Sequence, residues 1–144
     1  MKYFAIKGHA DTDSEAIELC ANKLFTEGCV NQSFKMNCIA REKEFPTGLP
    51  SEIPVAMPHS EISGVIQNAV CMLILDEPVK FRRMDDDSQI IETQMIFNLA
   101  LTGSQEHMNT LKKLMSVFYN YDQLSDLYHS KIEDLPDKLS KYLD

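Results

Sequence analysis

Two β-rich segments in the middle of this chain have no polar side to turn toward water. Asn68 to Leu75 is apolar on both faces after its first residue, and Ile90 to Leu101 is a second such segment. A strand buried on both faces belongs at the centre of a sheet that other elements cover from two sides. The two segments are therefore expected to pair with each other. Between them, Asp76 to Ser88 holds Pro78, an alternating Val79-Lys80-Phe81 and then Met84-Asp85-Asp86-Asp87-Ser88. That stretch reads as an edge segment followed by an acidic turn.

The cover comes from the two ends. From Thr12 to Gly28, Thr12 and Glu15 form a capping box, Ile17, Cys20, Ala21, Leu24 and Phe25 fall on one helical face, and Gly28 supplies the stop. A second amphipathic segment, Gln32 to Glu44, places Phe34, Cys38 and Arg41 at i, i+4 and i+7 and ends before Pro46. After Gly103, Ser104 can cap a helix on which Glu106 suits the positive end and His107, Leu111, Leu114, Met115 and Phe118 share a face. Tyr121 to Ser130 and Leu135 to Leu143 read as two shorter helices, with Pro136 in a tolerated first-turn position. Thr47 to Pro54 concentrates turn-forming residues and is expected to be a surface loop, followed by a short buried strand at Val55-Ala56-Met57. Helices at both ends around a strand-rich middle predict one α/β layered domain over residues 1–144.

A chain of 144 residues is long enough to bury roughly two-thirds of its surface without covalent staples. Its net charge of −8 and lack of a Lys/Arg cluster exclude a nucleic-acid binder, whose affinity comes from phosphate neutralisation. A basic protein partner fits that charge better. Cys20, Cys29, Cys38 and Cys71 form no CxxC pair or ligand spacing, and Met1 leads directly into Lys2-Tyr3-Phe4 with no signal-peptide core. The longest apolar run, Ala69 to Leu75, falls far short of the ~20 residues of a membrane-spanning helix. These features predict a soluble, cytoplasmic protein with reduced thiols.

Chemistry concentrates at Met57-Pro58-His59-Ser60-Glu61, where an imidazole follows a buried strand and a proline that restricts the backbone before it. With an ordinary pKa near 6.5, such a ring is mostly neutral at cytosolic pH and offers a nitrogen lone pair without a separate base. Phosphoryl transfer rewards that kind of positioning, and the phosphorus–nitrogen bond it forms is labile enough to pass the group on. Arg41 is a candidate to grip phosphoryl oxygens with its guanidinium. His107, in the first turn of its helix, is a candidate beside free backbone N–H groups. Spacing alone does not bring the three together: Pro-His after a strand also makes a structural turn, Arg41 also suits a solvated helix face, and His107 also suits packing. His9 and His129 have no comparable setting and are read as surface residues. Asp85-Asp86-Asp87 lacks the turn glycine of a calcium loop and reads as a solvated turn.

Several of these segments occur together in one known family. Arg41-Glu42, Val55-Ala56-Met57-Pro58-His59, Pro78-Val79 with Phe81, Ile96-Phe97-Asn98-Leu99-Ala100 and His107-Met108-Asn109-Thr110-Leu111 follow in the order and spacing of that family's motifs. The chain resembles the enzyme IIA domains of the fructose–mannitol–galactitol branch of the sugar phosphotransferase system, along nearly its whole length. The resemblance implies an α/β fold with a mixed β-sheet flanked by helices on both faces, and a phosphotransferase component with a phosphohistidine intermediate. It implies phosphorylation of His59 on its ε2 nitrogen, with Arg41 and His107 in supporting positions and no metal or cofactor. It further implies a phosphoryl donor, the small carrier HPr, and an acceptor, a cysteine of an enzyme IIB protein that serves sugar uptake through enzyme IIC. Many relatives have glycine where this chain has Pro54 and Ser60; Pro54 removes a backbone donor, and the Ser60 hydroxyl could contact a phosphoryl oxygen. The Pro-His-Ser-Glu form looks closer to galactitol-type or related polyol proteins than to the fructose type.

Two further readings remain beside sugar transport. A regulatory paralogue would accept a phosphoryl group only to change its binding to another protein. A binding module would keep His59 as a structural remnant. Whichever partner docks, the surface around His59 is expected to be shallow and mainly apolar.

Overall fold

The two apolar segments lie side by side at the centre of the molecule. The computed structural model describes residues 1–61 and 63–144, apart from the Ser104 side chain. In chain order its elements are β1 (Lys2–Gly8), α1 (Asp13–Thr26), α2 (Ser33–Glu44), β2 (Gly48–Leu49), β3 (Val55–Ala56), β4 (Ala69–Arg82), β5 (Ile90–Ala100), α3 (Ser104–Phe118), α4 (Tyr121–His129) and α5 (Leu135–Leu143), with a 3₁₀ turn at Ile132–Asp134 before the last helix. The strands form one mixed sheet in the order β1-β4-β5-β3-β2. The pairs β1–β4 and β3–β5 are parallel, and β4–β5 and β2–β3 are antiparallel.

Side chains of β4 alternate between two cores. Ala69, Cys71, Leu73 and Leu75 meet Ile17, Cys20 and Leu24 of α1 and Phe34 and Cys38 of α2. Val70 and Met72, with Met95, Phe97 and Leu99 of β5, meet Leu114 and Phe118 of α3 and apolar residues of α4 and α5. Helices thus cover both faces over Ala69–Leu75 and Met95–Ala100, where neither strand needs a polar side. The far end of the hairpin is not so covered, and Ile90 and Glu92, expected in a segment buried on both faces, are exposed.

Local signals account for most helix ends. Thr12 accepts the Glu15 backbone N–H at 3.2 Å, and the Glu15 carboxylate accepts the Asp11 N–H at 2.7 Å, so the predicted N-terminal box reaches back one residue further than a standard one. Gly28, at φ 77°, ends the run as expected, with Cys29 N–H returning to Leu24 O. Phe25, expected on the buried face, is exposed. It lies in the last turn of α1. The cap position of α3 is Gly103, so Ser104 is its first helical residue; the Ser104 side chain, read as a cap, lies outside the described residues.

Three segments differ from expectation. Lys2–Gly8, which carried no strand expectation, is an edge strand paired to the whole first half of β4. The segment after Asp76 is not a separate edge piece: β4 continues through it to Arg82, with its register against β5 shifted between Ile74 and Val79 to absorb Pro78. The expected surface loop from Thr47 contains β2, whose Gly48 and Leu49 are buried. Glycine permits this, since a Cβ at residue 48 would lie 2.6 Å from the Arg82 carbonyl oxygen.

Candidate active site

The parallel strands β3 and β5 run toward the same end of the sheet, and their pairing continues past β3 as a bridge between His59 and Leu99. Open α/β sheets bind ligands beyond the carboxyl ends of such strands. Here the chain leaving β5 turns at Leu101 and Gly103 into α3, which carries His107, while α2 brings Arg41 from the other face. Arg41, His59, Leu101, Gly103 and His107 line one cleft of about 480 Å³.

The turn that presents His59 is held to β5 at two points. Pro58 O accepts the Leu99 backbone N–H at 3.0 Å and the Asn98 side-chain amide at 2.9 Å. The His59 ring then folds back so that Nδ1 lies 2.9 Å from Met57 O. A carbonyl only accepts, so this bond assigns the proton to Nδ1 and leaves the Nε2 lone pair free. Burial lowers the His59 pKa below the usual imidazole value; His107 and Arg41 push the same way, against the Met57 carbonyl, which favours the charged ring. The ring is neutral at neutral pH.

His107 stands beside it, the two ring centroids 5.0 Å apart and the planes inclined at 67°. Its backbone N–H is bonded to Gly103 O, so the N–H groups of the turn ahead of it have no acceptor within the helix. Its pKa is lowered by burial and by the Arg41 charge, which leaves it neutral as well. Arg41 is half-buried; its guanidinium lies over the Phe45 ring and 3.6 Å from the exposed Glu61 carboxylate, and its buried Nε has no hydrogen-bond partner among the described residues. The structure thus brings together Arg41, His59 and His107.

Ser60 is buried and donates its hydroxyl proton to Glu61 O at 2.8 Å, a commitment that the expected contact to a phosphoryl oxygen would have to break. Exposed Met108 and buried Leu101 supply apolar wall around the cleft. His9 and His129 are exposed and far along the chain from these elements, as read. The four cysteines are buried in the core, and burial pushes the Cys38 thiol up to about 12. Asp86 accepts from Ser88 and Gln89 within its own turn, and no group of three or more metal-ligating side chains occurs among the described residues.

A sequence-family model described as "Phosphoenolpyruvate-dependent sugar phosphotransferase system, EIIA 2" matches residues 1–139. The chain belongs to this family. It is similar to the PTS system galactitol-specific EIIA component of Escherichia coli K12, with 27% identity over 131 residues, 90% of this chain and 87% of that protein. Among solved structures it is similar to nitrogen regulatory protein IIA-Ntr from Neisseria meningitidis, with TM-score 0.73, 23% identity and coverage of 94% of this chain and 92% of that one. It is also similar to the complex of enzyme IIA(MTL) and phosphorylated enzyme IIB(MTL) from Escherichia coli, with TM-score 0.67, 22% identity and coverage of 99% and 93%. At these identities the solved structures establish the fold, the mixed α/β architecture of type-2 EIIA domains. Family membership makes the chain a phosphotransferase-system component. Among the described residues, no helix is long and apolar enough to cross a membrane.

Sequence reading missed three side chains that stand behind the cleft. Glu42 falls four residues after Cys38 and so faces the core, where it is buried next to Thr47. Helical spacing from Phe34 and Cys38 could have found it; Arg41 sits at the edge of that stripe. Asn98 is fully buried within β5, and a polar residue inside a segment apolar on both faces was itself a signal that it serves a specific partner. Thr47 left no sequence signal.

Proposed function

We propose that this EIIA chain is a phosphoryl carrier that accepts its phosphoryl group on His59 Nε2 and passes it on. One observation carries the reading: a neutral imidazole whose Nδ1 is occupied by Met57 O lines a cleft that also contains Arg41 and His107. In the forward step the Nε2 lone pair attacks phosphorus in line. The bond from phosphorus to the donor's nitrogen breaks, and its electron pair stays on the donor imidazole. As the His59 ring gains positive character, the Nδ1–H bond to Met57 O strengthens. Arg41 and the free N–H groups at the start of α3 are suited to the three phosphoryl oxygens, and His107 supports one side of the ring. The reverse chemistry, with a partner thiolate attacking phosphorus and Nε2 leaving, unloads the carrier.

The donor in this reading is phospho-HPr and the acceptor a cysteine of an enzyme IIB, working on the cytoplasmic side of sugar or polyol uptake. Galactitol is the preferred substrate class, supported by the galactitol-specific relative and by the Pro-His-Ser-Glu segment. Incubation with enzyme I, HPr and phosphoenolpyruvate should add one acid-labile phosphoryl group, and His59→Ala should add none. A His59→Ala protein that still accepts it refutes the site. Onward transfer to a galactitol-type IIB then separates transport from regulation: a chain that loads but never unloads onto any IIB acts as a regulatory IIA paralogue.

A further inference from the structure

The His59 imidazole is oriented by the Met57 carbonyl, and Met57 is itself held from behind by a buried chain of hydrogen bonds. The antiparallel pairs Gly48–Ala56 and Leu49–Val55 would continue to Thr47 opposite Met57. β2 ends there, and the Met57 N–H, buried and in need of an acceptor, finds one in Thr47 Oγ1 at 3.1 Å. A hydroxyl has one proton, and Thr47 donates it to Glu42 Oε1 at 2.8 Å. The Thr47 backbone N–H donates to the other carboxylate oxygen, Glu42 Oε2, also at 2.8 Å. With Glu42 ionised every direction in the chain is set: the carboxylate only accepts, Thr47 Oγ1 donates to it and accepts from Met57, and Met57 O accepts from His59 Nδ1.

Neither Glu42 nor Thr47 lines the cleft, and both are buried, Glu42 at 4% and Thr47 at 3% exposure. A buried carboxylate is costly to keep unless it does something that an apolar side chain cannot. Here it holds the threonine hydroxyl in the single rotamer that meets Met57. β3 has only two paired residues, so without that bond the Met57 N–H would lose its acceptor, and the segment would be held only by β3 before it and at Pro58 after it.

We propose that Glu42 and Thr47 are positioning residues that set the tautomer and ring orientation of His59 through Met57. This deepens the carrier reading and rests on it for the meaning of the His59 lone pair. Thr47→Val keeps the shape but removes both the donor and the acceptor, so the Met57 segment loosens. The His59 ring then shifts toward the Nε2–H form that a free imidazole prefers.

The test is ¹⁵N-detected NMR of the His59 ring in the unphosphorylated full chain at about pH 8, where Glu42 is mostly ionised, paired with initial rates of phosphoryl acceptance from phospho-HPr. The wild type should give one Nδ1–H tautomer. Thr47→Val should give a mixture and a loss of rate of roughly five- to tenfold, because only the competent fraction reacts. Thr47→Ser, which restores the hydroxyl, should recover both. If Thr47→Val does not fold, Glu42→Gln is read instead and should shift the same ring signals part of the way. An unchanged tautomer and rate in a folded Thr47→Val, or unchanged ring signals in Glu42→Gln where that variant must substitute, overturns the proposal. The ring signals need no phosphoryl donor, so they separate the two readings. Shifted ring signals in a chain that never accepts phosphoryl would sink the carrier function and leave the positioning role standing. Unchanged ring signals in Thr47→Val, with the wild type loading on His59, would do the reverse.

Discussion

Glu42 makes the stability of this protein depend on pH in a direction opposite to that of an ordinary surface carboxylate. Burial, with some help from Asp13, raises its pKa from 4.5 to about 7, against the two Thr47 hydrogen bonds and the Arg82 charge, which favour ionisation. A carboxyl group whose pKa is higher folded than unfolded binds its proton more tightly in the native state. Its stabilising contribution is complete below 4.5 and is lost as the pH rises through about 7. Each pH unit separating the folded pKa from the unfolded one is worth about 1.4 kcal/mol, so the loss between about pH 5 and about pH 8 is roughly 2 to 3 kcal/mol. Glu42→Gln keeps the size and one accepting oxygen but cannot ionise, so it should lack this loss. Other titrating groups are common to both proteins and cancel in the difference. Urea unfolding of wild type and Glu42→Gln across that range should therefore show the variant gaining on the wild type by roughly 2 to 3 kcal/mol as pH rises. A difference that stays constant with pH would refute the argument, because it would mean that Glu42 ionises as readily in the folded chain as in the unfolded one.

Three further outcomes follow from the site and its support. Because His59 has a lowered pKa, phosphoryl acceptance should hold its rate as pH falls through the ordinary imidazole range near 6.5 and decline only below it. Initial rates or an NMR titration of the ring check this, and a midpoint above the ordinary value would contradict it. His107→Ala should leave the unfolding curve close to wild type while slowing phosphoryl acceptance by roughly tenfold or more, since it removes a support and not the nucleophile; an unchanged rate would assign His107 to packing. Gly48→Ala should destabilise by about 1–3 kcal/mol, because backbone and strand β5 must both move to admit a methyl group. Its Cβ would lie 2.6 Å from Arg82 O and 2.9 Å from Ile91 Cγ1. Denaturant midpoints measure it, and an unperturbed midpoint would show that β2 is not held against β4 as described.

Readings based on periodicity held where a single element decided the outcome. The α1 stripe up to Leu24, the α3 stripe, the Gly28 stop and the buried stretches Ala69–Leu75 and Met95–Ala100 of the two central strands depend on local spacing. Readings failed where a distant segment decided it. Lys2–Gly8 has an unremarkable alternation and becomes a strand because β4 offers a free parallel edge. Thr47 to Pro54 looks like a loop from its turn residues, yet Gly48 allows the backbone to close on Arg82 and bury a short pair. Arg41-Glu42 was legible as a pair of adjacent charges, and helical spacing from Cys38 could place the second on the core side, but only packing shows that the first lines the cleft.

The sequence by itself determined that the chain builds a helix-covered sheet, that one histidine is presented just after a buried strand by a proline, and which family it resembles, because these properties are carried by neighbours in the chain. Tertiary structure alone decided that Arg41 and His107 meet that histidine, that its Nδ1 is the protonated nitrogen, and that Glu42 and Thr47 stand behind it. These depend on backbone direction at the end of β3 and on hydrogen bonds and charge contacts between residues distant in the chain. Such contacts exist only after the parallel strands β3 and β5 and the two helix layers have brought those segments to one end of the sheet.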